Sequence, residues 1–283
     1  MSLLFVAAEI HSGLDQLWSP VTLVVLVVGI VGGWISSWYA HRYSEALPAP
    51  GEESDTTFAV ATLGEATCAT CGNVLDLAQV APPGFWASGG ACPDCHTRQP
   101  ATWWLAQLSV PILSLAMLAT WGSSWILVPF LWLVPVLVTA AVIDLRTMLI
   151  PKDVVWTGFF VGAPLIVAAS VLDGVTGQIV PALIGAAGYF AFLFVVSIIS
   201  PAGMGFGDVR LAALLGLYLG WIHMLLPAIG LFIACLFGVA LGLVVRVASG
   251  SERKAFPFGP GLALGTMVAI VGYEPLLHVV LSN

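Results

Sequence analysis

The chain contains an apolar run that ends in a carboxylate, Trp125-Ile-Leu-Val-Pro-Phe-Leu-Trp-Leu-Val-Pro-Val-Leu-Val-Thr-Ala-Ala-Val-Ile-Asp144. The run is followed by Leu-Arg-Thr-Met-Leu-Ile-Pro151. A run of about 20 apolar residues is long enough to cross a bilayer as a helix. A second aspartate borders an apolar segment in Gly203-Met-Gly-Phe-Gly-Asp208. Carboxylates so close to hydrocarbon are costly, and they usually face a cavity, a partner or a reaction. The sequence therefore predicts two aspartates at a functional site in a membrane protein.

Composition extends this prediction to the whole chain. Of the 283 residues, 59% are hydrophobic and only 8% are charged, with a mean hydropathy of +1.02, whereas about 25% of the residues in soluble domains are charged. No removable signal peptide is expected, because Met1 to Trp18 lacks a basic n-region and a small-residue cleavage site. We expect an all-α polytopic membrane protein with about eight transmembrane helices, near residues 20–40, 103–121, 124–143, 154–172, 178–199, 208–222, 227–247 and 259–281.

The basic residues predict the orientation. With eight spans they all fall on one side of the membrane, and short loops rich in Lys and Arg stay in the cytoplasm. Both chain ends are then expected outside, and the loops next to Asp144 and Asp208 inside. Pro227 marks either a kink or a loop in this scheme. The eight basic residues of the chain are Arg42, Arg98, Arg146, Lys152, Arg210, Arg246, Arg253 and Lys254.

A polar loop separates the first span from the others. We expect three parts: 1–40 with the first helix, a cytoplasmic loop domain at 41–102, and a membrane domain at 103–283. The loop contains two Cys-x-x-Cys pairs, and this spacing is typical of a structural, zinc-ribbon-like site with four thiolates. Two disulfides are the alternative, and they would require the loop to lie outside. The expected ligands are Cys68, Cys71, Cys92 and Cys95, while His96 and the lone Cys235 are given no role.

The same loop is acidic. Residues 41–102 contain seven acidic and two basic residues, which leaves a formal charge of −5. Such a surface beside a membrane favours a basic partner segment, although solubility alone is an alternative explanation. We expect no nucleic-acid partner for this chain.

Asp208 follows a glycine-rich stretch and opens a helix. An aspartate at that place can serve as an ordinary N-cap. The glycines at Gly203, Gly205 and Gly207 also permit close backbone approaches that a cap does not need. They would admit an extended substrate next to the carboxylate.

Asp144 lies at the end of the third predicted helix. The negative end of the helix dipole makes a carboxylate unfavourable there, so capping does not explain it. Arg146 is a candidate partner that would neutralise the charge, and Asp153, beyond Pro151, is a competing carboxylate. We rank Asp144 first.

Several motifs together resemble those of the type IV prepilin peptidases. They are the Asp144 segment that ends in Ile-Pro151, the Gly205-Phe-Gly-Asp208 motif with the following Val-Arg-Leu-Ala-Ala-Leu-Leu-Gly, and Phe256-Pro-Phe-Gly-Pro-Gly-Leu-Ala-Leu-Gly265. The paired cysteines complete the resemblance, which runs from about residue 68 to the end of the chain.

The resemblance implies an aspartic endopeptidase of the inner membrane with Asp144 and Asp208 as its catalytic pair. Its substrates would be prepilins and pseudopilins with short basic leader peptides. Two carboxylates held close together share a proton, so one acts as base and the other as acid. Residues that would shape the site or bind substrate are Gly205, Gly207, Arg210, Gly259 and Pro260. Arg210 stands where the family usually has lysine. Three roles are open for it: binding a lipid phosphate, orienting the aspartate, or simply following the positive-inside rule.

Members of this family often also methylate the new amino terminus with S-adenosylmethionine. The family pattern linked to that activity contains an asparagine. The segment Gly32-Gly-Trp-Ile-Ser-Ser-Trp-Tyr-Ala-His-Arg42 matches this pattern only loosely and lacks the asparagine. Other classes stay open: a transporter that uses the aspartates as a proton or cation relay, an inactive scaffold, and an intramembrane protease of the presenilin type.

Overall fold

The computed structural model describes residues 19–45, 65–68, 70–200, 205–249 and 257–282. Within these ranges the chain is almost entirely helical, as predicted, and strand-like pairing is confined to two isolated bridges in the cysteine loop. Gly203 and Phe256, which the sequence singled out, lie outside the described residues. The helices are α1 (Pro20–Glu45), α2 (Gly84–Ala87), α3 (Ala101–Trp121), α4 (Leu127–Thr147), α5 (Lys152–Leu172), α6 (Ile179–Ile199), α7 (Phe206–Ile222), α8 (Leu226–Ser249), α9 (Gly259–Val271) and α10 (Tyr273–Leu281).

The long helices correspond to the predicted apolar segments. Among the described residues, six are long and apolar enough to cross a membrane: α1, α3, α4, α5, α6 and α8. The pair α9 and α10 raises the number to seven if it is taken as one span. The remaining long helix, α7, has 17 residues and is buried for most of its length. The chain is thus a multi-pass membrane protein.

Two prolines explain the breaks in the last part of the chain. Pro227 falls in the first turn of α8, where an N–H would have no helical partner in any case. The eighth predicted span is not one straight helix, because α9 and α10 are bent by 80°. Pro275 has no N–H to offer the carbonyl of Val271, so a continuous helix cannot run through this point. After the bend, the Tyr273 ring stacks on Trp121 with 5.3 Å between centroids.

Glycines let two pairs of helices pack backbone against backbone. In the pair α6 and α7, a Cβ on Gly220 would lie 2.7 Å from the Pro181 carbonyl oxygen. In the pair α8 and α9, a Cβ on Gly265 would lie 2.6 Å from the Gly230 carbonyl oxygen. Small residues are what membrane helices use for such close approach. These contacts fix how the two helices of each pair lie against each other.

The cysteine loop packs on α1 and α3 through a small core of its own. Trp103 in α3 is 1% exposed and contacts Phe85 of the loop. The indole N–H of Trp34 in α1 donates to the Leu77 carbonyl over 2.8 Å. Gln107, completely buried in α3, accepts from the Trp86 indole at 2.6 Å and donates to a loop carbonyl. These contacts attach the loop firmly to the membrane helices.

Candidate active site and metal centre

Asp144 lies in the last turn of α4 and is 4% exposed. The helix ends at Thr147 because Met148 adopts a left-handed conformation, with φ 56°, and its N–H donates to the Asp144 carbonyl. Pro151 then begins the approach to α5 and disfavours further helix in the residue before it. Asp144 is therefore held at the point where the backbone turns.

The first turn of α9 meets the Asp144 carboxylate. The Gly259 N–H donates to Asp144 Oδ2 over 2.8 Å. A Cβ on Gly259 would lie only 2.7 Å from the same oxygen, so this position has room for glycine alone. The positive end of the α9 dipole thereby offsets the unfavourable end of α4. Pro260, which is buried, follows within the first turn of α9 and has no N–H that needs a partner.

Asp208 lies in the first turn of α7 and is 8% exposed. The N-cap of this helix is Gly205, whose carbonyl accepts the Asp208 N–H at 3.1 Å. The side chain of Asp208 makes no capping bond, and its Oδ1 atom is buried without a hydrogen-bond partner among the described residues. Asp208 also lies within electrostatic range of Asp144. Simple N-capping therefore does not account for this carboxylate.

The two glycines before Asp208 have different surroundings. A Cβ on Gly207 would lie 2.9 Å from the Ile150 Cβ, so Gly207 lets the segment after α4 pack against the start of α7. A Cβ on Gly205 would approach Asp208 Oδ2 no closer than 3.8 Å. A Cβ at Gly205 would therefore be in ordinary contact with the Asp208 carboxylate, without a clash among the described residues.

The nearby arginines do not pair with the aspartates. Arg146 binds Glu45 over 3.1 Å, which is the one ion pair within the described parts of the chain. It therefore does not neutralise Asp144. The Arg210 guanidinium stacks over the Phe206 ring at 4.7 Å. The competing carboxylate, Asp153, lies in the first turn of α5.

The four paired cysteines form one cluster, in which all Sγ atoms lie within 4.8 Å of one another. The Cys68 and Cys95 sulfurs are 3.6 Å apart, and those of Cys71 and Cys92 are 3.7 Å apart. Tetrahedral zinc with Zn–S bonds of about 2.3 Å requires sulfurs about 3.8 Å apart. All four thiols are free, and their convergence on one point fits a single metal ion better than two disulfides.

The backbone and one amide prepare Cys68 to bind a metal. Burial alone would raise the pKa of the Cys68 thiol, but the N–H groups of Cys71 and Thr70 and the Gln99 amide lower it to about 6. The Gln99 Nε2 atom lies 3.4 Å from the Cys68 sulfur. Metals bind the thiolate form, so these donors favour the ligating state.

Comparisons with known proteins agree with this geometry. The sequence profile described as the type IV leader peptidase family matches residues 130–243, which include both aspartates. A prepilin leader peptidase/N-methyltransferase of Bacillus subtilis (strain 168) is 32% identical over 206 residues, which cover 72% of this chain and 79% of the relative. The chain belongs to the type IV leader peptidase family.

Other relatives in the family carry the same name. The protein from Pseudomonas putida is 30% identical over 214 residues, or 72% of this chain and 70% of the relative. The one from Stutzerimonas stutzeri is 27% identical over 267 residues, or 88% and 90%. No solved structure matches the chain. The chain is thus an enzyme of a peptidase family, as the motifs predicted.

Two glutamines make contacts that the sequence motifs did not predict. Gln99 contacts the sulfur of Cys68, an expected metal ligand, and Gln107 joins the cysteine loop to α1 and α3. Gln107 had a usable signal, because it is a lone amide in the apolar run of α3, where an unpaired polar group is costly. Gln99 had none, since it lies in a polar loop where amides are common.

Proposed function

We propose that the chain is a membrane aspartic endopeptidase with Asp144 and Asp208 as its catalytic pair. The observation that supports this best is that two buried carboxylates from α4 and α7 lie within electrostatic range of each other. Neither is neutralised by a basic residue within the described ranges. Such a pair is expensive in a membrane protein unless it has a task.

In the proposed mechanism the pair carries one proton. Asp144 holds the negative charge, because it accepts the Gly259 N–H at the positive end of α9. Asp144 then deprotonates a water that attacks the scissile carbonyl. Asp208 is the protonated partner, which donates a hydrogen bond to the developing oxyanion. The proton that Asp144 took from the water is then passed to the leaving amine, which returns the pair to its starting state with one proton. The substrate backbone would pass beside Gly205, which has no side chain to obstruct it, and Gly207 and Pro260 would keep the first turns of α7 and α9 in place.

The proposed substrates are prepilins and pseudopilins. The relatives are named prepilin leader peptidase/N-methyltransferase. A basic leader would complement the cysteine loop, whose formal charge over residues 41–102 is −5. Such attraction acts over about 8 Å at physiological salt, so it would operate only when the leader reaches the membrane face. Arg210 lies beside the site and keeps the positive charge that the family usually has there.

The proposed location is the cytoplasmic (inner) membrane, with both chain ends outside the cytoplasm. The positive-inside rule supports this orientation, because eight spans collect every Lys and Arg on one side when α7 and the bent pair α9–α10 are each counted as one span. The catalytic pair and the cysteine loop would then face the cytoplasm, where a basic leader is presented. Three parts follow: residues 1–40, the loop domain at 41–102, and the membrane domain at 103–283.

We further propose that Cys68, Cys71, Cys92 and Cys95 hold a structural zinc ion. A loop of this size has little core of its own, and a metal would supply the missing stability. The test is metal analysis of the purified protein and of a variant with Cys68→Ser and Cys92→Ser. About one zinc per chain is expected for the unaltered protein, and unchanged metal content in the variant would contradict the proposal.

Methyl transfer is proposed as a second activity, with S-adenosylmethionine as donor, because the names of the relatives include it. The Gly32 to Arg42 segment lies in α1, where the Ser37 hydroxyl already bonds the Trp34 carbonyl at 2.8 Å. The test is transfer of label from S-adenosylmethionine to cleaved pilin. Absence of transfer with fully cleaved substrate would reject this activity and leave the peptidase proposal intact.

The experiment that tests the peptidase is cleavage of a model prepilin in detergent by Asp144→Asn and Asp208→Asn. Asparagine keeps the shape of the side chain but cannot carry the proton. Both variants should be folded and inactive. Asp76→Asn, at an exposed loop position, is the matched control and should cleave normally. Cleavage at the unaltered rate by either catalytic variant would reject the assignment.

A further inference from the structure

A cavity of about 330 Å³ lies between α1, α4 and α5. Neither Asp144 nor Asp208 lines it. On α4 its wall runs from Trp132 to Thr139, which are on a different face of the helix from Asp144 according to the 3.6-residue period. We call this cavity the α1/α4/α5 groove.

The α1/α4/α5 groove is elongated and polar at one end. Seven residues separate Trp132 from Thr139, so the wall on α4 is about 10 Å long at 1.5 Å per residue. Most of the lining is apolar, with Ile35, Pro135 and Val136 among its residues. The polar lining includes Asp153 of α5, which lies at the end of the bundle that also carries Asp144. Apolar walls that lead to a charged end match the layout of an amphiphile in a bilayer leaflet.

Asp153 supplies a carboxylate at that end. It forms no ion pair within the described ranges. The side chains of Tyr39 and Tyr43 lie within electrostatic range of it, and neither is a cation. Asp153 lies in the first turn of α5, where the positive end of the helix dipole favours an acidic residue. This position still leaves the Asp153 carboxylate free to bind a cation. Lys152, which precedes it, is exposed and offers the opposite charge for a phosphate.

The lining of the α1/α4/α5 groove favours an acyl chain as its occupant. An acyl chain can follow an apolar wall about 10 Å long and needs no hydrogen bonds from it. The Asp153 carboxylate at one end of the wall would then meet the headgroup.

We propose that the α1/α4/α5 groove binds a phospholipid with a primary amine headgroup, phosphatidylethanolamine, with one acyl chain along α4 and the amine at Asp153. The carboxylate selects the amine by a charge-assisted hydrogen bond. A choline headgroup has no N–H to donate, and a glycerol headgroup has no cation. This inference does not depend on the proposed peptidase mechanism.

The test is native mass spectrometry of the full chain after exchange into mixtures of phosphatidylethanolamine, phosphatidylcholine and phosphatidylglycerol. The unaltered protein should retain phosphatidylethanolamine preferentially. Asp153→Asn should reduce that preference about tenfold, the effect of losing one good charge-assisted hydrogen bond. Ile35→Trp fills the groove and should remove retained lipid of every headgroup. Val28→Trp is the matched control, since Val28 lies on the same helix with similar exposure, 46% against 49% for Ile35, and does not line the groove.

Three results would overturn the proposal. Equal retention of all three lipids by the unaltered protein would show that the headgroup is not recognised. Equal retention of phosphatidylethanolamine by Ile35→Trp and Val28→Trp would show that the lipid lies elsewhere. Displacement of the bound lipid by a prepilin would assign the groove to the substrate instead.

Discussion

Replacing Gly259 by alanine tests how the first turn of α9 serves Asp144. The new Cβ would lie 2.7 Å from Asp144 Oδ2 and 3.1 Å from its Cγ. Ordinary contact begins near 3.4 Å, so the two groups must separate by about 0.7 Å (3.4 minus 2.7). The same movement would stretch the 2.8 Å hydrogen bond from the Gly259 N–H to about 3.5 Å. The substitution therefore removes the one hydrogen bond of this carboxylate that α9 provides.

The expected loss follows from that geometry. A hydrogen bond to a charged group contributes about 1.5–3 kcal/mol, and about 1.4 kcal/mol corresponds to a tenfold change in rate. We expect Gly259→Ala to lower kcat about 10- to 150-fold. KM should change little, because no substrate contact is removed. A displacement of this size at a reacting group is large enough to produce such an effect.

The assay is cleavage of a model prepilin under single-turnover conditions, with thermal unfolding measured in parallel. Gly188→Ala is the matched control, since a Cβ at Gly188 in α6 has nothing within 4 Å. The control should cleave at the unaltered rate. If Gly259→Ala is folded and cleaves within twofold of the unaltered rate, Asp144 does not depend on α9 and the reasoning is refuted.

Three further predictions concern the cysteine loop and the ion pair. Gln99→Ala should weaken zinc affinity about 10-fold or more, because the Cys68 sulfur loses its hydrogen-bond partner. Competition with a chromogenic chelator measures the zinc affinity, and an unchanged affinity would contradict the proposed role of Gln99. Gln107→Leu leaves its buried hydrogen-bond partners unpaired and should cost about 2–4 kcal/mol of stability. The cysteine loop should then become susceptible to proteolysis at a lower denaturant concentration. An unchanged denaturant midpoint would contradict the role of Gln107 in attaching the loop to the membrane helices. Arg146→Gln breaks only the exposed ion pair with Glu45, which contributes about 1 kcal/mol or less. Prepilin cleavage should therefore continue. Loss of cleavage in folded protein would mean that Arg146 serves the proposed catalytic pair.

The apolar segments were predictable because a bilayer imposes one length and one backbone solution on every span. Asp144 stood out for a similar reason, since no local role suits an acid at the end of its helix. The partner of Asp144 was not predictable in detail, because the contact with Gly259 joins residues far apart in sequence. Asp208 illustrates the limit of local rules: N-capping was a sound alternative, but the helix begins three residues earlier, at a glycine cap. The bend before Pro275 could have been expected from that proline, yet its 80° angle depends on packing.

The glycine contacts of the two helix pairs limit how the candidate site can open. Within α6–α7 and within α8–α9 the backbones touch, so neither pair can open without losing its packing. Asp208 belongs to the first pair and Gly259 to the second, and Asp144 of α4 accepts the Gly259 N–H. We expect any opening of the site to move each pair as a unit, because a shear motion keeps the contacts within each pair. On this expectation, closing the site would also restore the arrangement of Asp144, Asp208 and Gly259.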